Sequence, residues 1–166
     1  DSDFGPMKQP GVTVKLRGTP GAVQGRAPRL GEHTEEVLAN AAASAGTASI
    51  RSASGRSEPS QNVMGALQGV RVLDLCIILA GPTCGRTMDE FGAGVIKIDG
   101  PARPYDGGGS TDVNRGKRSM LLDLKSEEGQ EVFWRLVDAA DVVVENNRKG
   151  SLARLGLGYE DVKRRK

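Results

Sequence analysis

Short runs of branched apolar residues alternate with helical segments from Leu67 onward. The apolar runs span residues 70–75, 95–99, 120–124 and 142–145. A helix is predicted from Thr83 to Phe91 with Pro82 in its first turn, and another after Ser126, which caps it. This alternation predicts βαβ units and a parallel sheet. Because the crossovers are right-handed, the carboxyl ends of all strands meet at one edge, where ligands of open α/β sheets bind.

The composition of the chain changes twice before that domain begins. Residues 1–38 mix Pro, Gly and charge, with an edge-strand pattern at Val12–Leu16 and a short helix for which Thr34 is the expected N-cap. Residues 39–66 are almost entirely Ala, Ser, Gly, Thr and Arg. So little apolar bulk cannot offset the entropy of ordering the chain, so this segment is predicted to be a flexible linker. The α/β domain then occupies residues 67–166.

Charge and cysteine usage narrow the class of protein. The net charge of +2 gives no argument for a nucleic-acid partner, and no apolar run is long enough to span a bilayer. Cys76 and Cys84 have no metal-ligand partners nearby in sequence, and His33 is distant. We therefore expect two unpaired buried thiols, no metal site and a cytoplasmic protein. The chain starts with Asp1, and we expect it to be an excerpt of a longer polypeptide.

Small and basic residues follow the predicted strands. Ala80-Gly81-Pro82 opens a helix N-terminus, which favours anions. The basic side chains after the other strands are Arg115, Lys117, Arg118, Lys125, Arg148, Lys149 and Arg154. Together they suit a ligand with several phosphates, although each taken singly fits a solvated surface. A nicotinamide dinucleotide is the alternative, and Asp99 stands where a ribose-binding acid would be. Gly81 and Gly85 do not form its G-x-G-x-x-G fingerprint.

The motifs along the domain resemble those of class III CoA-transferases, the CaiB/BaiF family. The matching blocks are 69–75, 79–82, 91–98, 114–119, 122–126, 140–146 and 154–159. Residues 14–21 and 27–38 resemble the closing stretch of a family member. A family C-terminus, a linker and a family N-terminus in this order imply the junction of two fused copies. A gene-model error that joined the ends of two unrelated genes would give the same order. The implied fold is α/β, a partial Rossmann-like parallel sheet domain preceded by a linker and a C-terminal remnant of an upstream copy.

The resemblance implies an enzyme that moves CoA between carboxylic acids through an aspartyl-CoA intermediate. The family's catalytic aspartate belongs to a stretch C-terminal to these residues, so no catalytic residue is assigned. Coenzyme A or acyl-CoA, with a carboxylic acid, is then substrate, and no permanently bound cofactor is expected. A dimer or fused pseudo-dimer is the expected assembly. The alternatives are an acyl-CoA racemase of the α-methylacyl type, which uses acid/base residues, and a non-catalytic CoA-binding half.

The resemblance also implies a set of CoA-binding residues. Lys125 and Arg154 would meet phosphates, and the apolar walls of the adenine site would be two leucines. The full set is Ala80, Leu122, Lys125, Asn146, Arg154 and Leu155. Three positions differ from the residues that family members have there: Leu79, Gly100 and Asn147. The resemblance therefore does not predict the acyl substrate. His33 is expected to tie the N-terminal segment to the domain.

Overall fold

The computed structural model describes residues 5–43, 65–102 and 110–166. Its strands are β1 Arg71–Asp74, β2 Gly94–Asp99, β3 Arg118–Leu121 and β4 Val142–Val144. Its helices are α1 Thr34–Ala43, α2 Ala80–Glu90, α3 Ser110–Val113, α4 Glu127–Ala139 and α5 Tyr159–Arg165, with a 3₁₀ helix at Ala153–Leu155. The α/β class predicted from the alternating pattern is confirmed.

All four strands are parallel and lie in the order β3-β2-β1-β4. The chain therefore moves outward from β1 through β2 to β3, and then crosses back to place β4 on the other side of β1. This reversal creates a topological switch point between β1 and β4. Ligands of open α/β sheets bind in the crevice beyond the carboxyl ends of the strands at such a point.

The two faces of the sheet are covered by different helices. On one face, α1 and α4 pack over a large apolar cluster that includes Val37, Leu73, Ile96 and Phe133. On the other face, α2 covers a smaller cluster built on Val72, Ala93 and Val95. Burial on both faces explains why the strands read as continuous apolar runs instead of alternating ones.

The ends of the predicted elements shift where side chains form turns. Ser126 caps α4 as predicted, because its hydroxyl accepts a hydrogen bond from the Gly129 N–H at 3.0 Å. The third strand, expected at 120–124, instead ends at Leu121. Asp123 forms a turn there, accepting from the Lys125 N–H at 3.0 Å. The helix α2 begins at Ala80, three residues earlier than predicted, and keeps Pro82 in its first turn.

The loop predicted from Gly100 to Thr111 overlaps α3 at its last two residues, and residues 103–109 lie outside the described part. The edge-strand prediction for Val12–Leu16 is wrong, since these residues form bends and unpaired backbone. Val12 is nevertheless buried.

The N-cap prediction for Thr34 is also wrong. Thr34 is the first residue of α1, and its hydroxyl donates to the Gly31 carbonyl and accepts from the Leu121 N–H. The helix then runs to Ala43, five residues into the segment predicted as linker. Residues 44–64 of that linker lie outside the described residues, and Gly65 accepts a backbone hydrogen bond from the Gln68 N–H.

The N-terminal segment is attached to the domain along β3. The His33 N–H donates to the Ser119 carbonyl at 2.9 Å, and His33 Nδ1 accepts from the Ser119 N–H at 3.2 Å. Ser119 Oγ also accepts from the Gly31 N–H. His33 therefore has the structural role predicted for it, satisfying the outer edge of β3 where a further strand would otherwise pair. None of the helices in the described part of the chain is long and apolar enough to cross a bilayer.

Candidate functional site

Two of the predicted site residues meet at the switch point. Ala80 is the first residue of α2, directly after the loop that leaves β1, and Asn146 follows β4. The Asn146 side chain reaches across to that loop. Its Oδ1 accepts from the Ile77 N–H at 2.8 Å and its Nδ2 donates to the Ile77 carbonyl at 2.9 Å. A Cβ atom at Gly81 would lie 2.4 Å from Cys76 Sγ and 3.2 Å from Asn146 Cγ, so the close approach of these side chains requires glycine.

Leu122 and Lys125 lie beyond β3, at the far side of β2. Two strand spacings separate β3 from β1, so these residues are about 10 Å across the sheet from the β1–α2 loop. Lys125 is exposed, while Leu122 is buried within the larger apolar cluster. The structure therefore does not bring this pair into contact with the group at the switch point. A ligand reaching both would have to extend along the sheet edge.

Arg154 and Leu155 lie in the short 3₁₀ helix that follows β4. Arg154 is exposed and its N–H donates to the Gly150 carbonyl at 3.1 Å. Gly150 has φ of +80°, which lets the chain turn back at this point, and Arg154 Nη1 lies near it. Leu155 is half-buried and packs against the same apolar cluster that contains Leu122. The charged member of this pair thus faces solvent and the apolar member faces the domain.

Three of the basic residues predicted for the phosphate rim are elsewhere. Arg115 is buried and its Nη2 lies 2.5 Å from Glu90 Oε1, and its Nη1 donates to the Pro10 carbonyl. Lys117 is buried beside Asp74, while Arg118 opens β3 and reaches toward Glu36. The prediction is wrong for these three because Arg115 and Lys117 precede β3, Arg118 is its first residue, and all three charges are paired within the protein. Lys125, Arg148, Lys149 and Arg154 are exposed as a rim requires.

A pair of buried charges lies beneath α2. Lys117 Nζ donates to Asp74 Oδ2 at 2.7 Å, to the Pro82 carbonyl at 2.8 Å and to Asn114 Oδ1 at 3.1 Å. Both charged side chains are 0% exposed. Burial lowers the pKa of Lys117, and the neighbouring Asp74 carboxylate opposes that shift. The second oxygen of Asp74 accepts from the Cys76 N–H, so this pair also holds the start of the β1–α2 loop.

Asp99 does not have the environment of a free ribose-binding acid. It is buried, and Lys97 Nζ lies 2.5 Å from its Oδ1. The one feature that favoured a nicotinamide dinucleotide is therefore an internal ion pair.

The two cysteines differ in exposure. Cys76 is buried as expected, and burial raises the pKa of its thiol to about 12, with the nearby Asp74 carboxylate acting in the same direction. Cys84 is exposed, contrary to the prediction of two buried thiols, because it lies on the outer face of α2. Neither is disulfide-bonded. Residues 5–43, 65–102 and 110–166 contain no group of three or more potential metal ligands.

Sequence reasoning missed the exposure of the apolar part of the β1–α2 loop. Three apolar side chains, those of Ile77, Ile78 and Leu79, are exposed in a row at the carboxyl edge. An unbroken apolar stretch after a strand is ordinarily read as core, so nothing in the pattern indicated exposure.

Comparison with known proteins gives a family match for the whole α/β domain. Residues 67–166, more than half of the chain, match the family described as CoA-transferase family III. A succinyl-CoA:mesaconate CoA-transferase of Haloarcula hispanica is 42% identical over 116 residues, covering 60% of this chain and 29% of that protein. The human alpha-methylacyl-CoA racemase is 40% identical over 99 residues, covering 60% of this chain and 25% of the racemase.

A solved structure agrees with these matches. A CAIB/BAIF family protein from Brucella suis has a TM-score of 0.54 and 41% sequence identity, over 61% of this chain and 31% of that chain. The chain spans less than a third of the length of these relatives.

Proposed function

Because this chain belongs to CoA-transferase family III, we propose that it forms part of the coenzyme A-binding domain of an enzyme that moves CoA between carboxylic acids. The strand order β3-β2-β1-β4 supports the proposal most directly. It puts a switch point at the edge where Ala80 begins α2 and Asn146 follows β4. A nucleotide bound there would lie against exposed backbone at the N-terminus of a helix.

We propose separate roles for the residues around this edge. Lys125 and Arg154 are exposed cations on either side of the switch point, and each would pair with a phosphate group. Leu122 and Leu155 would contribute the apolar wall beside adenine, since Leu122 belongs to the larger apolar cluster and Leu155 packs against it. The backbone of Ala80 would lie against the nucleotide, and Asn146 would border the same site from the segment that follows β4.

The proposed chemistry is nucleophilic catalysis by a carboxylate. An aspartate attacks the thioester carbonyl of acyl-CoA, forming a mixed anhydride and releasing CoA thiolate. The thiolate attacks the aspartyl carbonyl, giving aspartyl-CoA and the free donor acid. The acceptor carboxylate then takes up CoA through a second anhydride, which regenerates the aspartate. We assign no catalytic residue among the described residues, so this chain's part in the reaction is to bind and orient CoA.

The remaining parts of the proposal concern the whole protein. CoA is a substrate, with no permanently bound cofactor, and the enzyme acts as a dimer or fused pseudo-dimer in the cytoplasm. Residues 1–38 are the C-terminal segment of an upstream copy, which the structure extends along α1 to Ala43; the linker follows, and residues 67–166 are the start of the next copy. The hydrogen bonds between residues 31–34 and β3 support the first of these assignments, because they make the N-terminal segment a covering element of the domain.

An acyl-CoA racemase is the second candidate. A racemase is similar to the same residues at nearly the same identity as the transferases, so the matched region favours neither. The two reactions differ in their products. With succinyl-CoA and a second carboxylic acid, a transferase yields a new thioester, whereas a racemase exchanges the α-proton of a 2-methylacyl-CoA with solvent deuterium. A protein that binds CoA and does neither is the non-catalytic half.

Binding of CoA to the purified protein tests the site. We expect Lys125→Ala and Arg154→Ala each to weaken the Kd measured by calorimetry by about tenfold or more, because each removes a charge-assisted hydrogen bond to phosphate. Matched controls are Lys163→Ala and Arg135→Ala, which remove exposed cations from α5 and α4. These should bind CoA within about twofold of the unaltered protein. If both site variants bind as tightly as the controls, the assignment of these residues is wrong.

A further inference from the structure

The β1–α2 loop has a backbone shape that its sequence does not favour. In the part of the chain that the structure describes, Ile78 is the one residue other than glycine with positive φ, at +71°. A β-branched side chain is a steric outlier in this region, so the loop would relax if nothing held it. Ile78 and Leu79 are also 62% and 61% exposed, so burial of their side chains does not hold it. The structure shows hydrogen bonds to the backbone of the residues before Ile78.

Those hydrogen bonds involve two side chains, one at the end of β1 and one just after β4. Asp74 at the end of β1 accepts from the Cys76 N–H at 2.9 Å. Asn146 bonds both backbone groups of Ile77, accepting at 2.8 Å and donating at 2.9 Å. The Asn146 amide therefore takes the place of a backbone partner next to the strained residue. Its oxygen accepts one hydrogen bond from Ile77 and its nitrogen donates one to Ile77.

We propose that Asn146 is a positioning residue that holds Ile77 and thereby keeps Ile78 in its left-handed conformation, fixing where Ala80 and the first turn of α2 lie. On this view Asn146 acts on CoA through the loop instead of by direct contact. The inference rests on the proposed function, because it assumes that Ala80 borders the nucleotide. Loss of the side chain would free Ile78 to return to negative φ and move the residues after it.

A double-mutant cycle separates positioning from contact. CoA affinity is measured for the full protein and for Asn146→Ala, Ile78→Gly and the double variant. We expect Asn146→Ala to weaken the Kd by about tenfold in the presence of Ile78. Glycine adopts positive φ readily, so the same change in the Ile78→Gly background should weaken the Kd by less than about threefold. An equal loss in both backgrounds would mean that Asn146 contacts the ligand directly, and would overturn the proposal.

A second measurement needs no CoA. Amide hydrogen exchange at Ile77 should be about tenfold faster in Asn146→Ala, because the acceptor of that N–H is removed. Asn147→Ala is the matched control, since the Asn147 side chain donates to Leu75 and not to Ile77. Asn146→Asp keeps an acceptor and should keep most of the protection. Unchanged exchange at Ile77 in Asn146→Ala would overturn the proposed restraint. If exchange changes as expected but the unaltered protein does not bind CoA, only the proposed function is overturned.

Discussion

Replacing Lys117 by methionine will lower the free energy of unfolding by about 3–5 kcal/mol. The substitution removes the ammonium that lies 2.7 Å from Asp74 Oδ2 and leaves a carboxylate buried without its counter-ion. Gly85 of α2 packs directly against the same carboxylate, since a Cβ atom added at Gly85 would lie 2.5 Å from Asp74 Oδ2. This tight packing leaves no room for another polar side chain to replace the lysine. Chemical denaturation monitored by circular dichroism measures the effect.

Two further variants show that the loss belongs to the pair. Lys149→Met makes the same change at an exposed lysine and should alter the free energy of unfolding by about 0.5 kcal/mol or less. The double variant Lys117→Met with Asp74→Asn should be more stable than Lys117→Met alone, because the buried charge is gone and the amide can still accept from Cys76 N–H. A loss below 1 kcal/mol for Lys117→Met would contradict a buried ion pair at this position.

Replacing Phe133 by alanine will lower the free energy of unfolding by about 3–5 kcal/mol. The ring is 0% exposed and lies in the apolar cluster between α4, α1 and the sheet. Truncation removes the burial of a large side chain and leaves a cavity that rigid neighbouring strands fill only in part. The same denaturation experiment measures it.

The controls for Phe133 lie on the same helix. Phe133→Leu retains most of the volume and should lose less than half as much. Arg135→Ala changes an exposed residue of α4 and should stay within about 0.5 kcal/mol, even though Arg135 lies 3.4 Å from Glu131. Equal losses for Phe133→Ala and Arg135→Ala would show that α4 does not pack on the sheet through Phe133.

The fold of the domain was predictable because its signals are local. Branched runs such as 95–99, a proline in the first turn of α2 and the Ser126 cap each act within a few residues. The errors arise where distant residues decide. Thr34 bonds Leu121 across the molecule instead of capping a helix, and Val12 is buried without belonging to a strand.

The candidate site was predictable only in outline. The parallel pattern indicated the carboxyl edge, and the structure has Ala80 and Asn146 there. Charge alone did not show that Arg115 and Lys117 are buried, because their partners Glu90 and Asp74 lie 25 and 43 residues away in sequence. The two hydrogen bonds between Asn146 and Ile77 join residues 69 apart in sequence, and no short-range pattern indicates a contact of that kind.

Mapping of the CoA footprint tests most directly the claim that the carboxyl edge of this sheet binds the nucleotide. Backbone amide chemical shifts of the full protein are followed by NMR as CoA is added. The largest changes are expected in residues 77–81, 122–125 and 146–155, with little change at the opposite edge around Arg71 and Gly94. Changes centred on that opposite edge, or no saturable change at any concentration, would contradict the account.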